Sequence, residues 1–305
     1  MRVVTPSSER PRVAVVVTDT YPEADPDHDT APLVAELQAQ GVDAAPVVWH
    51  DPAVDWAGYD LALLRSPWDY PERYDEFVAW LAHAEKATQV VNAPALVRWN
   101  LDKRYLAELA DLGVGVVPTT YRTSVLDVQA DLAALPGDAH VVLKPAVSAG
   151  ARDTGLFRAD DPAAVALAGR IVEGGGVVLV QPEVPELTAG REKALYVVDG
   201  TVTHAIAKGA LLAVGGGLAG GVYVEHPERV EATDAETTFA KEVLAAVDEA
   251  TGLGLPLYAR IDTVDSAEHG LVLLEAELVE PALNLHVVPE VTAVVAAAVR
   301  ARLTR

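Results

Sequence analysis

Three carboxylates near the C-terminal end of the chain have the type and spacing for metal-assisted phosphate chemistry. Asp262 closes the alternating segment Y-A-R-I-D (258–262), and Glu275 and Glu277 lie in L-V-L-L-E-A-E-L (271–278), with turn-forming residues S-A-E-H-G (266–270) between them. This alternation predicts two neighbouring strands. Side chains two apart on a strand share a face, so Glu275 and Glu277 point the same way. Acidic groups facing one pocket repel each other unless a cation lies among them. Hard oxygen donors of this kind suit Mg2+ or Mn2+, and Mg2+ usually arrives with phosphates. A solvated acidic face would carry the same residues, but Leu273, Leu274 and Leu278 call for burial. Lys144 supplies the opposite charge. It ends the apolar segment H-V-V-L-K-P (140–145), ahead of the small-residue loop A-V-S-A-G-A (146–151). A phosphate placed there meets the lysine on one side and backbone amides on the other. Lys103, in W-N-L-D-K-R-Y-L (99–106), reads in isolation as a surface lysine on a helix.

The bulk properties narrow the field. The chain has 305 residues, half of them hydrophobic, which allows one to three packed lobes. Its net charge of -22 argues against nucleic acid and anionic membrane as partners. With only six lysines, a lysine in a pocket carries weight. There is no cysteine, so disulfides, thiol catalysis and zinc–thiolate sites are excluded. The eight histidines show no metal-binding spacing, and neither a P-loop nor a G-x-S-x-G elbow occurs. The first eleven residues have no apolar signal region and read as a flexible tail. The expectation is a cytoplasmic protein.

The elements that must position these residues alternate at first between strand and helix. Strands are expected at 12–18, 45–49, 61–64 and 89–92. Helices are expected from Asp29 to Gln40, over 73–86, and from Asn100 to Gly113. This rhythm predicts a parallel sheet with ligands at the carboxyl ends of its strands. Those ends carry T-D-T-Y-P (18–22) and R-S-P-W-D-Y (65–70). A smaller middle part holds strands at 115–121, 140–145 and 177–181, helices at 124–135 and 161–173, and a hinge at 182–186. A hairpin turning at Asp199-Gly200 follows. Next come a glycine-rich loop that reads as a mobile lid, a strand at 222–224, a helix at 234–250, the carboxylate strands, and a helix at about 290–303. The fold class is α/β, becoming α+β towards the C-terminus.

In order and separation these features resemble the ATP-grasp superfamily, across most of the chain. The resemblance rests on W-N-L-D-K (99–103), V-L-K-P (142–145), Ser148-Ala149-Gly150, Gln181-Pro182-Glu183-Val184, Arg260-Ile261-Asp262 and Glu275-Ala276-Glu277 with Pro281 four residues on. It implies an N-terminal pre-ATP-grasp domain at 12–114 after the 1–11 tail, a small central lobe at 115–185, and a C-terminal lobe at 186–305 with the metal site. It implies that Lys103 and Lys144 contact ATP phosphates and that Ser148 and Gly150 form a flap. Gln181, Glu183 and Val184 then lie where the hinge reads adenine, with Glu186 or Glu192 for the ribose. Asp262, Glu275 and Glu277 would hold Mg2+ or Mn2+. L-L-R-S-P-W-D-Y (63–70) and L-E-A-E-L-V-E-P (274–281) point further, to the branch containing the cycloserine-forming O-ureidoserine cyclo-ligase and bacterial glutathione-synthetase-like ligases.

The implied activity is an ATP-dependent carboxylate–amine ligation through an acyl phosphate, between molecules or closing a ring, in a specialised biosynthetic pathway. Arg260 and Lys208 are the candidate catalytic cations. Arg65, Trp68 and Asp69 suit a small amino-acid-like substrate, Arg for a carboxylate and Asp for an ammonium, and Asn284 and His286 are weaker candidates. Dimers are common in the superfamily, which leaves a homodimer open. Two departures stand out. Glu277 replaces the usual Asn, and A-G-G-V-Y (219–223) lacks the arginine that steadies the terminal phosphate, for which Lys208, Arg191 or Arg260 would have to substitute. That gap keeps a non-catalytic ATP-binding sensor or scaffold as the alternative.

Overall fold

A computed structural model describes residues 10–22, 26–218 and 226–303. The parallel sheet contains β1 (Arg12–Val17), β2 (Asp43–Val48), β3 (Leu61–Ser66) and β4 (Gln89–Val91), in the order β2-β1-β3-β4. Helix α1 (Thr30–Ala39) follows β1, and α2 (Tyr74–Ala87) precedes β4. The near-continuous apolar runs in β1 and β3 follow from cover on both faces. Val13, Val15, Leu61 and Leu63 face a core shared with α1 and with the C-terminal part of the chain, whereas Ala14, Val16, Ala62 and Leu64 pack towards Phe77, Trp80 and Leu81 of α2. Asp29 sits at the N-cap of α1 but does not cap it. Its carboxylate instead accepts from the backbone of Leu283 and, at 2.7 Å, of Leu285.

The helix expected from Asn100 to Gly113 is only α4 (Tyr105–Asp111), and Asn100 ends a separate helix, α3 (Pro94–Asn100), instead of starting one. Tertiary bonds cause the break. The Asn100 amide donates to the Ala276 carbonyl at 2.8 Å and accepts from Leu278 N at 2.8 Å, pairing with a strand as another strand would. Asn92 does the same with Tyr258, Leu278 and Leu257 at 3.0, 2.6 and 2.7 Å. Lys103 therefore occupies a turn, not a helical surface.

The central sheet runs β5 (Thr120–Arg122), β8 (Val178–Pro182), β6 (His140–Pro145) and β7 (Gly155–Arg158), all antiparallel. Helices α5 (Val125–Ala133) and α6 (Pro162–Glu173) cover it around a core of its own that includes Val128, Leu143, Phe157 and Ile171. The strand expected at 115–121 is shorter, with only an isolated bridge from Val116 to Leu273 before β5. The hinge holds a single turn, α7 (Pro185–Thr188).

The third sheet has the order β11-β10-β9-β12-β13, from β9 (Lys193–Val198), β10 (Thr201–Ala207), β11 (Glu228–Val230), β12 (Tyr258–Ser266) and β13 (Gly270–Glu277). Helix α8 (Asp234–Thr251) opens with a capping box between Thr233 and Glu236. Helix α9 (Val291–Arg302) packs on α1. Within the glycine loop, the amides of Gly215 and Gly216 both donate to the Leu156 carbonyl at 2.9 Å, which ties the loop to β7. The strand expected at 222–224 and the arginine-free stretch 219–223 lie outside the described residues, as does most of the 1–11 tail. Pro11, at its end, accepts from Asp43 N at 2.8 Å.

Candidate active site

Register builds the site. In the β12–β13 pairing Arg260 lies opposite Glu277, and Asp262 opposite Glu275. The first pair joins opposite charges across the ladder. The second sets two carboxylates side by side, which repel unless cations reach them. Three do. Arg260 binds Asp262 through Nε and Nη2, both at 2.8 Å, and also donates to Glu277. Lys208, buried just past β10, reaches Asp262 at 3.2 Å and Glu192 at 3.3 Å. Lys103 reaches Glu275 at 3.1 Å and the Ser148 carbonyl at 2.7 Å. Lys103 is only 5% exposed, so its reading as a surface lysine is corrected.

Lys144, on β6, faces the same space, and burial together with nearby Lys103 lowers its pKa against the pull of Glu275. Gln181, Glu183, Val184 and Glu192 line that cavity, with Ser148 and Gly150 at its edge. Gln181 donates to Thr119 Oγ1 at 2.8 Å, and Glu183 lies 2.7 Å from His140 Nδ1. Gly150 has φ +60°, a backbone state that suits glycine. Glu186 is elsewhere: it accepts from Ala267 N at 3.1 Å. Of the two acids considered for a ribose, only Glu192 lines the cavity.

A second cavity adjoins the first. Ala149 to Ala151, Thr154, Arg260, Glu277 and Glu280 line both, while Tyr21, Trp68, Asp69 and Arg152 line the second alone. Trp68 donates to the Glu280 carbonyl at 3.0 Å, and Asp69 accepts from Trp49 Nε1 at 2.8 Å. Arg65 and Asn284 line neither. Arg65 is 1% exposed, donates to the Pro281 carbonyl at 2.5 Å and lies 3.8 Å from Asp29. Asn284 is buried and donates to the Tyr196 hydroxyl at 2.7 Å. Both sit behind the wall of the site. His286 instead contacts His28, with ring centroids 4.6 Å apart.

Glu280 was missed by sequence reasoning. The available signal was an acid directly before Pro281, three residues past Glu277 on a strand already read as functional.

Among the described residues no three acidic or histidine side chains converge as a metal-ligating group. Asp262, Glu275 and Glu277 are each turned towards a cation. The donor set still fits a hard divalent ion. Its atoms are all oxygen, and burial with the charges of Asp262 and Glu275 pushes Glu277 up to about 8 despite Arg260. A cation at that point relieves the repulsion that holds the proton on.

Two solved structures of low identity match the architecture. The ATP-grasp ligase PsnB, complexed with a precursor peptide and AMPPNP, aligns over 96% of this chain and 98% of its own (TM-score 0.61, 19% identity). D-alanine–D-alanine ligase from Bacillus anthracis, complexed with ATP, aligns over 96% and 97% (TM-score 0.67, 14% identity). The fold is ATP-grasp. Three further similarities are more specific. The family described as D-cycloserine synthetase DcsG, N-terminal domain, matches residues 13–92. The cycloserine biosynthesis protein DcsG of Streptomyces lavendulae is 36% identical over 269 residues, which are 85% of this chain and 88% of the relative. The crystal structure of D-cycloserine synthetase DcsG superposes with TM-score 0.88 and 32% identity, covering 96% of this chain and 99% of that one. The chain belongs to the DcsG family of ATP-grasp ligases. It is therefore an enzyme, and the non-catalytic alternative falls away.

Proposed function

We propose that the protein closes a ring in an ATP-dependent reaction, joining the carboxylate of an O-ureidoserine of the D series to a nitrogen of its own side chain. The observation that carries this reading is the meeting of two cavities at Arg260 and Glu277, with the buried lysines on one side and Trp68 and Asp69 on the other. Nucleotide in the first cavity and amino acid in the second bring a phosphoryl group and a carboxylate together at that boundary. The relatedness to D-cycloserine synthetase supports the substrate class.

In this reading the three lobes, 12–114, 115–185 and 186–305, enclose the nucleotide. Lys103 and Lys144 hold phosphate oxygens, Ser148 and Gly150 cover them, Gln181, Glu183 and Val184 face adenine, and Glu192 faces the ribose. Asp262, Glu275 and Glu277 hold Mg2+ or Mn2+, which when bound neutralises charge on the β- and γ-phosphates. Arg260 and Lys208 steady the transferred group. Phosphorylation of the carboxylate turns an oxide, a poor leaving group, into phosphate, a good one. Nitrogen then displaces it. Asp69 receives the substrate ammonium.

ADP and phosphate release from Mg-ATP, compared across this O-ureidoserine, D-serine and a panel of amino acids, tests the reading. Release stimulated by the O-ureidoserine is expected. No stimulated release by any compound sinks it.

A further inference from the structure

The roles above leave out one buried carboxylate at the boundary of the two cavities. Glu280 is 8% exposed and lines both. Among the described residues it forms no salt bridge, unlike Asp262, Glu275 and Glu277. The segment from Glu280 to Leu283 is anchored at three points. Trp68 holds the Glu280 carbonyl at 3.0 Å, Arg65 holds the next carbonyl at 2.5 Å, and Asp29 takes the amide of Leu283. Each of these partners comes from the N-terminal part of the chain. These bonds anchor the chain that carries the carboxylate, and a hydrogen bond with the Tyr70 side chain places the carboxylate itself, as a proton-transfer group requires.

We propose that Glu280 is the general base of the ring-closing step. The inference rests on the ligase reading above. The nitrogen that must attack is amide-like: its lone pair is delocalised into the ureido carbonyl, so it is a poor nucleophile while it keeps its proton. In the step, the N–H proton passes to a Glu280 oxygen as nitrogen forms a bond to the acyl carbon. The bond from that carbon to the phosphate oxygen breaks, and phosphate leaves with the electron pair. The proton later returns to solvent. The titratable groups facing Glu280 are Tyr70, Lys103, Arg260 and Glu275. Burial raises its pKa above the ordinary carboxylate value, which strengthens it as a base.

Hydroxylamine separates this step from phosphorylation, because it attacks an acyl phosphate without help from a base. Wild type and Glu280→Gln are given Mg-ATP and O-ureidoserine of the D series, with and without hydroxylamine. Hydroxamate, cyclised product and ADP are all counted. The expected result is hydroxamate within about threefold of wild type, with cyclised product down by roughly 10²–10⁴-fold, the usual share of a general base. Loss of hydroxamate and product together would place Glu280 in phosphoryl transfer and overturn the proposal, as would unimpaired cyclisation. If Glu280→Gln does not fold, Glu280→Asp keeps the acid but withdraws it by one methylene. It should lose cyclisation more than hydroxamate, and equal losses count against the role. Wild type that yields neither ADP nor hydroxamate overturns the ligase reading itself, and this inference with it.

Discussion

Every cation that touches the carboxylates of the cleft is held by them in turn, and this ties chemistry to stability at single residues. Asp262 holds both Arg260 and Lys208. Asp262→Asn leaves two buried cations short of a partner, and breaking a buried pair from one side costs about 3–5 kcal/mol. Because Glu277 and Glu192 remain, we expect the lower end, about 3 kcal/mol in urea unfolding, with ADP release down at least roughly 100-fold. Full activity in this variant would contradict its place in the site. His204 supplies a pH-dependent contribution away from the cleft. Its ring stacks on Tyr196 at 4.1 Å, and its Nε2 lies 3.0 Å from the Leu283 carbonyl. Burial lowers its pKa from 6.5 to about 4. The folded protein thus prefers the neutral ring, and this preference stabilises it above pH 6.5 and is lost as pH falls towards 4. At about 1.4 kcal/mol per pKa unit the loss reaches about 3 kcal/mol. Wild type should therefore exceed His204→Gln in unfolding free energy by more at about pH 7 than at about pH 4.5. A constant difference would rule the contribution out. Side-chain placement was legible for Asp262, Glu275, Glu277 and Lys144, which line one cavity, because strand periodicity fixes which way such side chains face. It misled for Arg65: an arginine at a strand end suits a substrate carboxylate by type, yet this one is enclosed against Pro281 and Tyr258.

At the scale of elements, regular alternation was readable and tertiary hydrogen bonding was not. The strands of the parallel sheet and the β9–β10 hairpin stand close to where their patterns put them. The helix through Lys103 was misjudged because nothing local shows that Asn100 bonds to a strand 176 residues away. Strand β7 went unseen because G-L-F-R is too short to alternate. Asn100→Ala removes the bonds to Ala276 and Leu278, at a cost of about 2–4 kcal/mol for the groups left unpaired. It also loosens the turn that carries Lys103, so ATP affinity measured by titration should fall with the unfolding free energy. Unchanged affinity would show that the turn holds without Asn100. In the glycine loop, a Cβ on Gly216 would stand 2.4 Å from the Phe157 ring, and the residue has φ +91°. Gly216→Ala should cost about 1 kcal/mol for backbone conformation alone, more with the clash. Phe157→Leu in the same chain should recover part of it, and simple additivity of the two changes would argue against the contact.

At the scale of the whole molecule, the charge of -22 opposes compaction. Screening lengths shorten from about 30 Å to about 8 Å between 0.01 and 0.15 M salt. The melting temperature should rise over that range. A fall would mean that ion pairs such as Arg229–Glu290 and Arg302–Asp199 outweigh the long-range repulsion. The succession of a parallel sheet by antiparallel ones was legible because strand–helix alternation gives way to hairpin patterns along the chain. The joint between the parallel sheet and the third sheet was not, since the side-chain amides of Asn92 and Asn100 make part of it, beside the shared apolar core. That joint bears on engineering. Asn92 and Asn100 act as proxy strands, closing the ends of β12 and β13 from the N-terminal side. The N-terminal region is consequently not a detachable module. A chimera that takes residues 12–91 from a relative leaves both asparagines with the strands they serve. One that cuts at 114 replaces them, and it succeeds only where the donor carries an amide at both positions.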